Sequence, residues 1–167
     1  MLNQTTPLVA TIDDDIVLEP NAFAEVLEIL NSYGNNLAGV GLNSRSNLKK
    51  EVTFFDRFFG MSSRYQGVIT SSGYNTSIAH VTENIHSSWL GGGYTVWKVS
   101  ILRQFKQDEI KTRWAVGEDV RLSYEIGKVY PLVVACNAYY AEKQVPIEST
   151  ASLGMDYYKG LKAAAAF

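Results

Sequence analysis

The chain has 167 residues, of which 46% are hydrophobic and 19% are charged, and its formal net charge is −2. This balance is typical of one globular domain or a piece of a larger one, and it argues against nucleic acid as a partner. The single cysteine, Cys136, excludes an internal disulfide, and no apolar run approaches the roughly 18 residues that span a bilayer. We therefore expect a cytoplasmic location, either free or peripheral to a membrane.

The predicted elements begin with a strand, a helix and a second strand. Leu8–Ile12 is a short apolar run that predicts a buried strand, and 37–42 predicts the next one. Between them Pro20-Asn21 opens a helix. Its apolar stripe is expected to consist of Phe23, Val26, Leu27 and Leu30. This order is the unit of a parallel α/β sheet, whose sites lie beyond the carboxyl ends of its strands.

Three adjacent carboxylates, Asp13, Asp14 and Asp15, follow the first predicted strand. Because like charges in a row repel, a divalent cation is their obvious counter-charge. In extended backbone the side chains of Asp13 and Asp15 point the same way and that of Asp14 points opposite. Two such oxygen donors suit Mg²⁺ or Mn²⁺ bound together with a substrate diphosphate.

The middle of the chain gives a weaker signal. The aromatic segment Phe54-Phe55-Asp56-Arg57-Phe58-Phe59 favours core packing, and the alternative is a hydrophobic lip for an acceptor. His80 and His86 have no partner at a zinc spacing.

A glycine-rich turn follows. We expect 87–90 to form a strand that leads into Gly91-Gly92-Gly93, and 96–105 to form a helix. Three glycines let backbone approach a ligand closely, and N–H groups near a helix start can hold an anion. A flexible turn without a ligand is the equal alternative.

The last predicted elements are a helix, a strand and a tail. Gly117-Glu118-Asp119 opens a helix that closes at Gly127, and favourable placement in the helix dipole is enough to explain its acidic first turn. Residues 131–136 predict a strand, and 151–167 predict a helical tail.

Taken in order, these motifs resemble a family 2 glycosyltransferase. The resemblance rests on the acidic triplet, on Trp89 to Gly93 followed by Trp97-Lys98, and on Gly117-Glu118-Asp119 through Tyr124. It covers about residues 8–146 and implies an inverting enzyme with a GT-A-like, Rossmann-related α/β fold. That fold is a mixed, mainly parallel sheet flanked by helices. Residues 1–150 would be a partial catalytic domain, lacking the N-terminal nucleotide-binding strands.

The resemblance also implies roles for individual residues. Asp15, with Asp13, would hold Mn²⁺ or Mg²⁺, and Asp119 would be the catalytic base with Glu118 beside it as an acceptor contact. The donor is a nucleotide-diphospho sugar, most simply a UDP-sugar, and the acceptor is a hydroxyl. The residues implied to contact these substrates are Asp13, Asp14, Trp89, Gly91, Gly92 and Gly93.

Two departures from the family pattern matter. Family members usually carry further βαβ units ahead of the acidic motif, so we expect a fragment whose open sheet edge favours a homo-oligomer or a second chain. A histidine often completes the family's metal site, whereas Glu142 is the oxygen donor available here. Two other functions stay open, nucleotidyl transfer and a non-catalytic binding domain.

Overall fold

The computed structural model describes residues 6–45, 52–106 and 117–142. Within them a six-stranded mixed sheet curls into a nearly closed, barrel-like shape, accompanied by four α-helices. The strands are β1 (Leu8–Ile12), β2 (Ile16–Leu18), β3 (Gly39–Ser44), β4 (Ile85–Ser87), β5 (Tyr94–Lys98) and β6 (Leu132–Glu142). The helices are α1 (Ala22–Ser32), α2 (Phe54–Phe58), α3 (Val99–Leu102) and α4 (Glu118–Gly127), with a 3-10 turn at Gly34–Asn36.

The predicted helix-flanked, mainly parallel, Rossmann-related sheet is wrong. The strand order is β1-β5-β3-β6-β2, with β4 also on β6, and among these pairs β3 and β6 alone run parallel. The prediction failed first at 96–98, the start of the segment 96–105 that was expected to be helical, where the helix is confined to α3. Tyr94-Thr95-Val96-Trp97 is rich in aromatic and β-branched residues, which favour a strand, and β5 inserts between β1 and β3.

The strand–helix–strand unit itself is present. Strands β1 and β3 are both antiparallel to β5, so they run in the same direction and α1 connects them. Strand β6 runs parallel to β3. The carboxyl ends of β1, β3 and β6 and the start of β5 therefore lie at one edge of the sheet, which positions the site.

Both faces of the sheet are covered by apolar side chains. Val40, Val96 and Val133 pack with α1 on one face, and Trp97, Leu132 and Val134 pack with Ile126 of α4 on the other. Neighbouring residues of one strand enter opposite clusters because strand side chains alternate between faces. The buried face of α1 differs in part from the predicted stripe. It consists of Ala22, Val26, Ile29 and Leu30, whereas Phe23 and Leu27 are exposed.

Strand β6 carries an irregularity that the sequence did not indicate. Its pairing with β3 shifts register between Gly41 and Asn43. Asn43 is fully buried there, and its amide donates to the carbonyl oxygens of Val81 at 2.9 Å and Cys136 at 2.8 Å. Its Oδ1 accepts from the Val81 N–H at 3.1 Å. One side chain thus replaces the missing ladder bonds.

Other boundaries needed correction. Strand β1 is at the sheet edge and is mostly exposed rather than buried. Strand β4 ends at Ser87 instead of spanning 87–90, and β6 continues to Glu142.

The phenylalanines of 54–59 are exposed, so their predicted core role is wrong. Helix α4 is confirmed, and the predicted tail at 151–167 lies outside the described residues. Among the described helices, none combines the length and the apolarity needed to cross a membrane.

Candidate functional site

Three separate motifs meet where β1 ends and β5 begins. The N–H of Asp13, just after β1, donates to the carbonyl oxygen of Gly93 at 3.0 Å. The N–H of Gly92 donates to Oδ2 of Asp119, in the first turn of α4, at 2.8 Å. The glycine turn at 91–93, called the glycine loop below, is therefore in contact with both acidic motifs.

Each residue of the glycine loop faces a different side chain at close range. A Cβ on Gly91 would overlap the Tyr94 ring, and one on Gly93 would overlap the carboxylate of Asp13. A Cβ on Gly92 would lie 3.0 Å from the Cβ of Asp119. Three glycines are needed here because three side chains press against the loop backbone. The loop leads into β5 rather than a helix, so the predicted anion site at a helix start is not formed.

Ser123 and Thr95 hold the loop in place, and sequence reasoning missed both. Ser123 is buried, and its Oγ accepts from the N–H of Leu90 at 3.0 Å. Thr95 is buried as well, and its Oγ1 donates to the carbonyl oxygen of Gly91 at 2.6 Å. Ser123 lies four residues after Asp119, on the same face of α4. The spacing of four residues was the signal available in the sequence, because Asp119 and Ser123 bind the backbone of Gly92 and Leu90 from one face of α4.

The acidic triplet forms a turn. Asp14 and Asp15 lie in it, and the N–H of Ile16 donates to the carbonyl oxygen of Asp13 at 3.2 Å. The extended alternation predicted for these residues is therefore wrong. Partial burial, and then the charges of Asp15, Asp119 and Asp14 in decreasing order, raise the pKa of Asp13. Asp13 thus interacts more strongly with Asp15 and Asp119 than with its neighbour Asp14.

Two stacked tyrosines and a further carboxylate lie beside this cluster. The rings of Tyr94 and Tyr140 are stacked, with centroids 4.5 Å apart. Burial, with the nearby Tyr140 and the charges of Asp119 and Glu142, raises the pKa of Tyr94. Glu142 is paired with Ile16, the residue after Asp15. The structure therefore brings Glu142 to the same edge, and both tyrosines are neutral near physiological pH.

The carboxylates suit one kind of metal site and not another. Among residues 6–45, 52–106 and 117–142, no three histidine, cysteine or carboxylate side chains converge tightly enough to hold an ion. Mg²⁺ is commonly held by one or two carboxylates together with substrate phosphates. Asp13 and Asp15 supply two carboxylates, which is the number that Mg²⁺ commonly takes from a protein when substrate phosphates supply the other ligands.

Comparisons with known proteins add nothing to this geometry. A scan of protein-family models finds no match, and a search of curated proteins finds no significant match. The resemblance to a family 2 glycosyltransferase therefore remains a hypothesis that depends on the motifs.

The remaining predicted site residues occupy different positions. Asp14 is exposed in the acidic turn, and Glu118 is the partly buried first residue of α4. Trp89 is buried in the apolar cluster that contains Trp97, and among the described residues its Nε1 has no hydrogen-bond partner. Trp89 thus supports the glycine loop from the core side, and its predicted contact with substrate stays untested.

Proposed function

We propose that this chain carries the diphosphate-binding and base-bearing part of an inverting glycosyltransferase that uses a nucleotide-diphospho sugar. The observation that supports this most is the convergence of Asp13 and Asp119 on adjacent residues of the glycine loop. The two residues belong to motifs 106 positions apart (119 − 13). The fold that the motifs suggested is not part of the proposal.

The donor diphosphate binds at the acidic turn. Asp15 and Asp13 would hold Mg²⁺ or Mn²⁺ there, together with the oxygens of the diphosphate. When bound, this ion neutralises the negative charge of the departing nucleotide diphosphate. Asp13 is suited to this role because its partial burial among other carboxylates makes a nearby positive charge favourable.

Asp119 acts as the general base. The N–H of Gly92 binds its Oδ2 at 2.8 Å and fixes the orientation of the carboxylate, which leaves Oδ1 as the oxygen that can accept a proton. Gly92 has no side chain, so the side chain of Asp119 can pack directly against the loop backbone.

The proposed sugar transfer is a single displacement, in which one bond forms as another breaks. The acceptor hydroxyl oxygen forms a bond to the anomeric carbon of the donor while the bond from that carbon to the diphosphate oxygen breaks. The hydroxyl proton passes to Asp119. The bonding electrons leave with the nucleotide diphosphate, and the anomeric configuration inverts because the acceptor attacks from the opposite face.

Thermal unfolding with ligands tests the proposal. We expect Mn²⁺ and UDP together to raise Tm more than the sum of their separate effects, because each contributes to one shared site. Asp15→Ala should remove this synergy, and Glu28→Ala, an exposed carboxylate substitution on α1, should leave it intact. Absence of synergy in the unaltered protein would contradict the proposal. Release of pyrophosphate instead of a nucleotide diphosphate during turnover would indicate nucleotidyl transfer.

A further inference from the structure

Four phenylalanines form an exposed apolar surface on and just after α2. Phe54, Phe55, Phe58 and Phe59 are 74%, 67%, 73% and 57% exposed. Their ring centroids lie 6.1 Å apart for Phe54 and Phe55, 6.3 Å for Phe54 and Phe58, and 5.2 Å for Phe58 and Phe59. The rings are therefore one continuous surface, called the phenyl patch below. Patches of this kind mark contacts with proteins or membranes.

The backbone that carries the phenyl patch is fixed by polar contacts rather than by the rings. Thr53 and Asp56 form a capping box, in which the Thr53 N–H donates to Oδ2 of Asp56 at 2.9 Å and the Asp56 N–H donates to Thr53 Oγ1 at 3.2 Å. After the helix, Ser72 Oγ donates to the carbonyl oxygen of Gly60 at 2.8 Å. A five-residue helix is too short to be stable alone, so these bonds hold it. The rings can thus be replaced without loss of the fold.

The exposed charges of residues 52–65 have one sign. Asp56 is the sole carboxylate between residues 52 and 65, and it is buried in the capping box. Arg57 and Arg64 are exposed, and the Arg64 guanidinium lies 5.7 Å from the centroid of the exposed Tyr65 ring. Along residues 52–65 the four apolar rings are therefore accompanied by an exposed arginine within α2 and by an exposed arginine and tyrosine after it. Such a surface is complementary to a lipid bilayer in which anionic headgroups lie above the hydrocarbon core.

We propose that the phenyl patch docks this protein on an anionic lipid bilayer. The rings enter the boundary between headgroups and acyl chains, and Arg57 and Arg64 contact the headgroup phosphates. A bilayer is favoured over a protein partner because all four rings are more than half exposed and α2 also carries an exposed cation, Arg57, which suits anionic headgroups. The charge pattern favours lipid over a second copy, since two identical patches would bring like charges together.

Vesicle sedimentation tests this with the full chain. Vesicles of equal parts phosphatidylcholine and phosphatidylglycerol should bind the protein, and phosphatidylcholine alone should bind it at least tenfold more weakly. Phe54→Ser with Phe58→Ser should lower binding to the mixed vesicles at least tenfold. Phe23→Ser with Leu27→Ser, two exposed apolar residues on α1, is the matched control and should bind normally. Circular dichroism melting should show that both variants are folded.

The arginines provide a second measurement. Each cation near an anionic surface contributes about fivefold in affinity, so Arg57→Gln with Arg64→Gln should weaken binding to the mixed vesicles by about 25-fold. Equal binding to neutral and mixed vesicles, or binding that survives loss of the phenylalanines, would overturn the proposal. Failure of the unaltered protein to bind the mixed vesicles would also overturn the proposal. If an oligomer of the unaltered protein then dissociates in the double phenylalanine variant, the phenyl patch is a contact between copies of the chain. The inference does not depend on sugar transfer.

Discussion

The backbone N–H of Gly92 donates a hydrogen bond to Oδ2 of Asp119 at 2.8 Å, and a Cβ on this glycine would lie 3.0 Å from the Cβ of Asp119. The next residue, Gly93, accepts from Asp13 through its carbonyl oxygen. The separation between the two carboxylates is therefore set by two consecutive residues of one loop. A small displacement of this loop would therefore change the surroundings of both the proposed base and the proposed diphosphate-binding turn.

The proposed base can be tested by an isosteric change. Asp119→Asn keeps an oxygen that can accept from Gly92, so the loop and Tm should change little. Transfer should fall by about 10²–10⁴-fold, because an amide cannot take the acceptor proton. Single-turnover rates measure this, with the Mn²⁺ and UDP synergy in Tm as the check on donor binding. Glu118→Gln is the adjacent control and should cost less than tenfold; an Asp119→Asn enzyme of comparable activity would contradict the assignment.

The glycine loop predicts different outcomes for two alanine substitutions. In Gly91→Ala the new Cβ overlaps the Tyr94 ring, which is stacked on Tyr140 and cannot move away, so the protein should lose stability. In Gly93→Ala the overlap is with the carboxylate end of Asp13, which can rotate. Stability should then be nearly retained, while the Mn²⁺ and UDP synergy is lost. Chemical denaturation and ligand-dependent Tm separate the two effects.

A double-mutant cycle decides whether Gly93→Ala acts through Asp13. In an Asp13→Ala background the Gly93→Ala change should have no further effect on ligand synergy, because the displaced carboxylate is already gone. If the two effects instead add, the glycine loop contributes to binding by another route, and the proposed contact is wrong.

Features with a local cause were the ones that could be predicted from the sequence. Strand β1 follows from the apolar run at 8–12, although the three carboxylates after it form a turn and not the expected extended backbone, and α4 follows from Gly117 and the acidic first turn. The rule that sites lie beyond the carboxyl ends of strands placed Asp13 to Asp15 at the site, whereas the involvement of the glycine turn and of Asp119 was implied by the family resemblance alone. The expectation from that rule depended on the shared direction of β1 and β3, which the structure retains even though β5 lies between them.

Features with non-local causes could not be predicted. The sheet order depends on β5 pairing with both β1 and β3, and nothing within residues 94–98 indicates those partners. The roles of Ser123 and Asn43 depend on backbone groups 33 and 38 residues away. The exposure of the phenylalanines was missed because composition alone favours burial, whereas the capping box of α2 holds that segment without their help.

Ser123 anchors the glycine loop, so we expect its substitution to lower the stability of the fold. Its Oγ is buried and serves the N–H of Leu90, so Ser123→Ala leaves that donor unsatisfied. The expected cost is about 1–3 kcal/mol in the free energy of unfolding. Ser32→Ala, at the exposed end of α1, removes a hydroxyl that bonds to the Ile29 carbonyl oxygen and should cost less than about 0.5 kcal/mol. Urea unfolding of both variants makes the comparison, and equal costs would argue against the anchor.

The raised pKa of Asp13, caused first by partial burial and then by the neighbouring carboxylates, predicts a pH-dependent stability. Folding raises the pKa of Asp13 above its ordinary value of 3.8, so the folded state binds this proton more tightly than the unfolded state. The associated stability is fully present below pH 3.8 and is lost as pH rises through the folded pKa. Asparagine does not ionise, so the Asp13→Asn variant does not lose this stability as pH rises. Its Tm should therefore exceed that of the unaltered protein at pH 7, and the difference should vanish as pH falls to about 3.8. Glu28→Gln on α1 is the control, and a Tm gain for Asp13→Asn that is constant with pH would show that repulsion is not its cause.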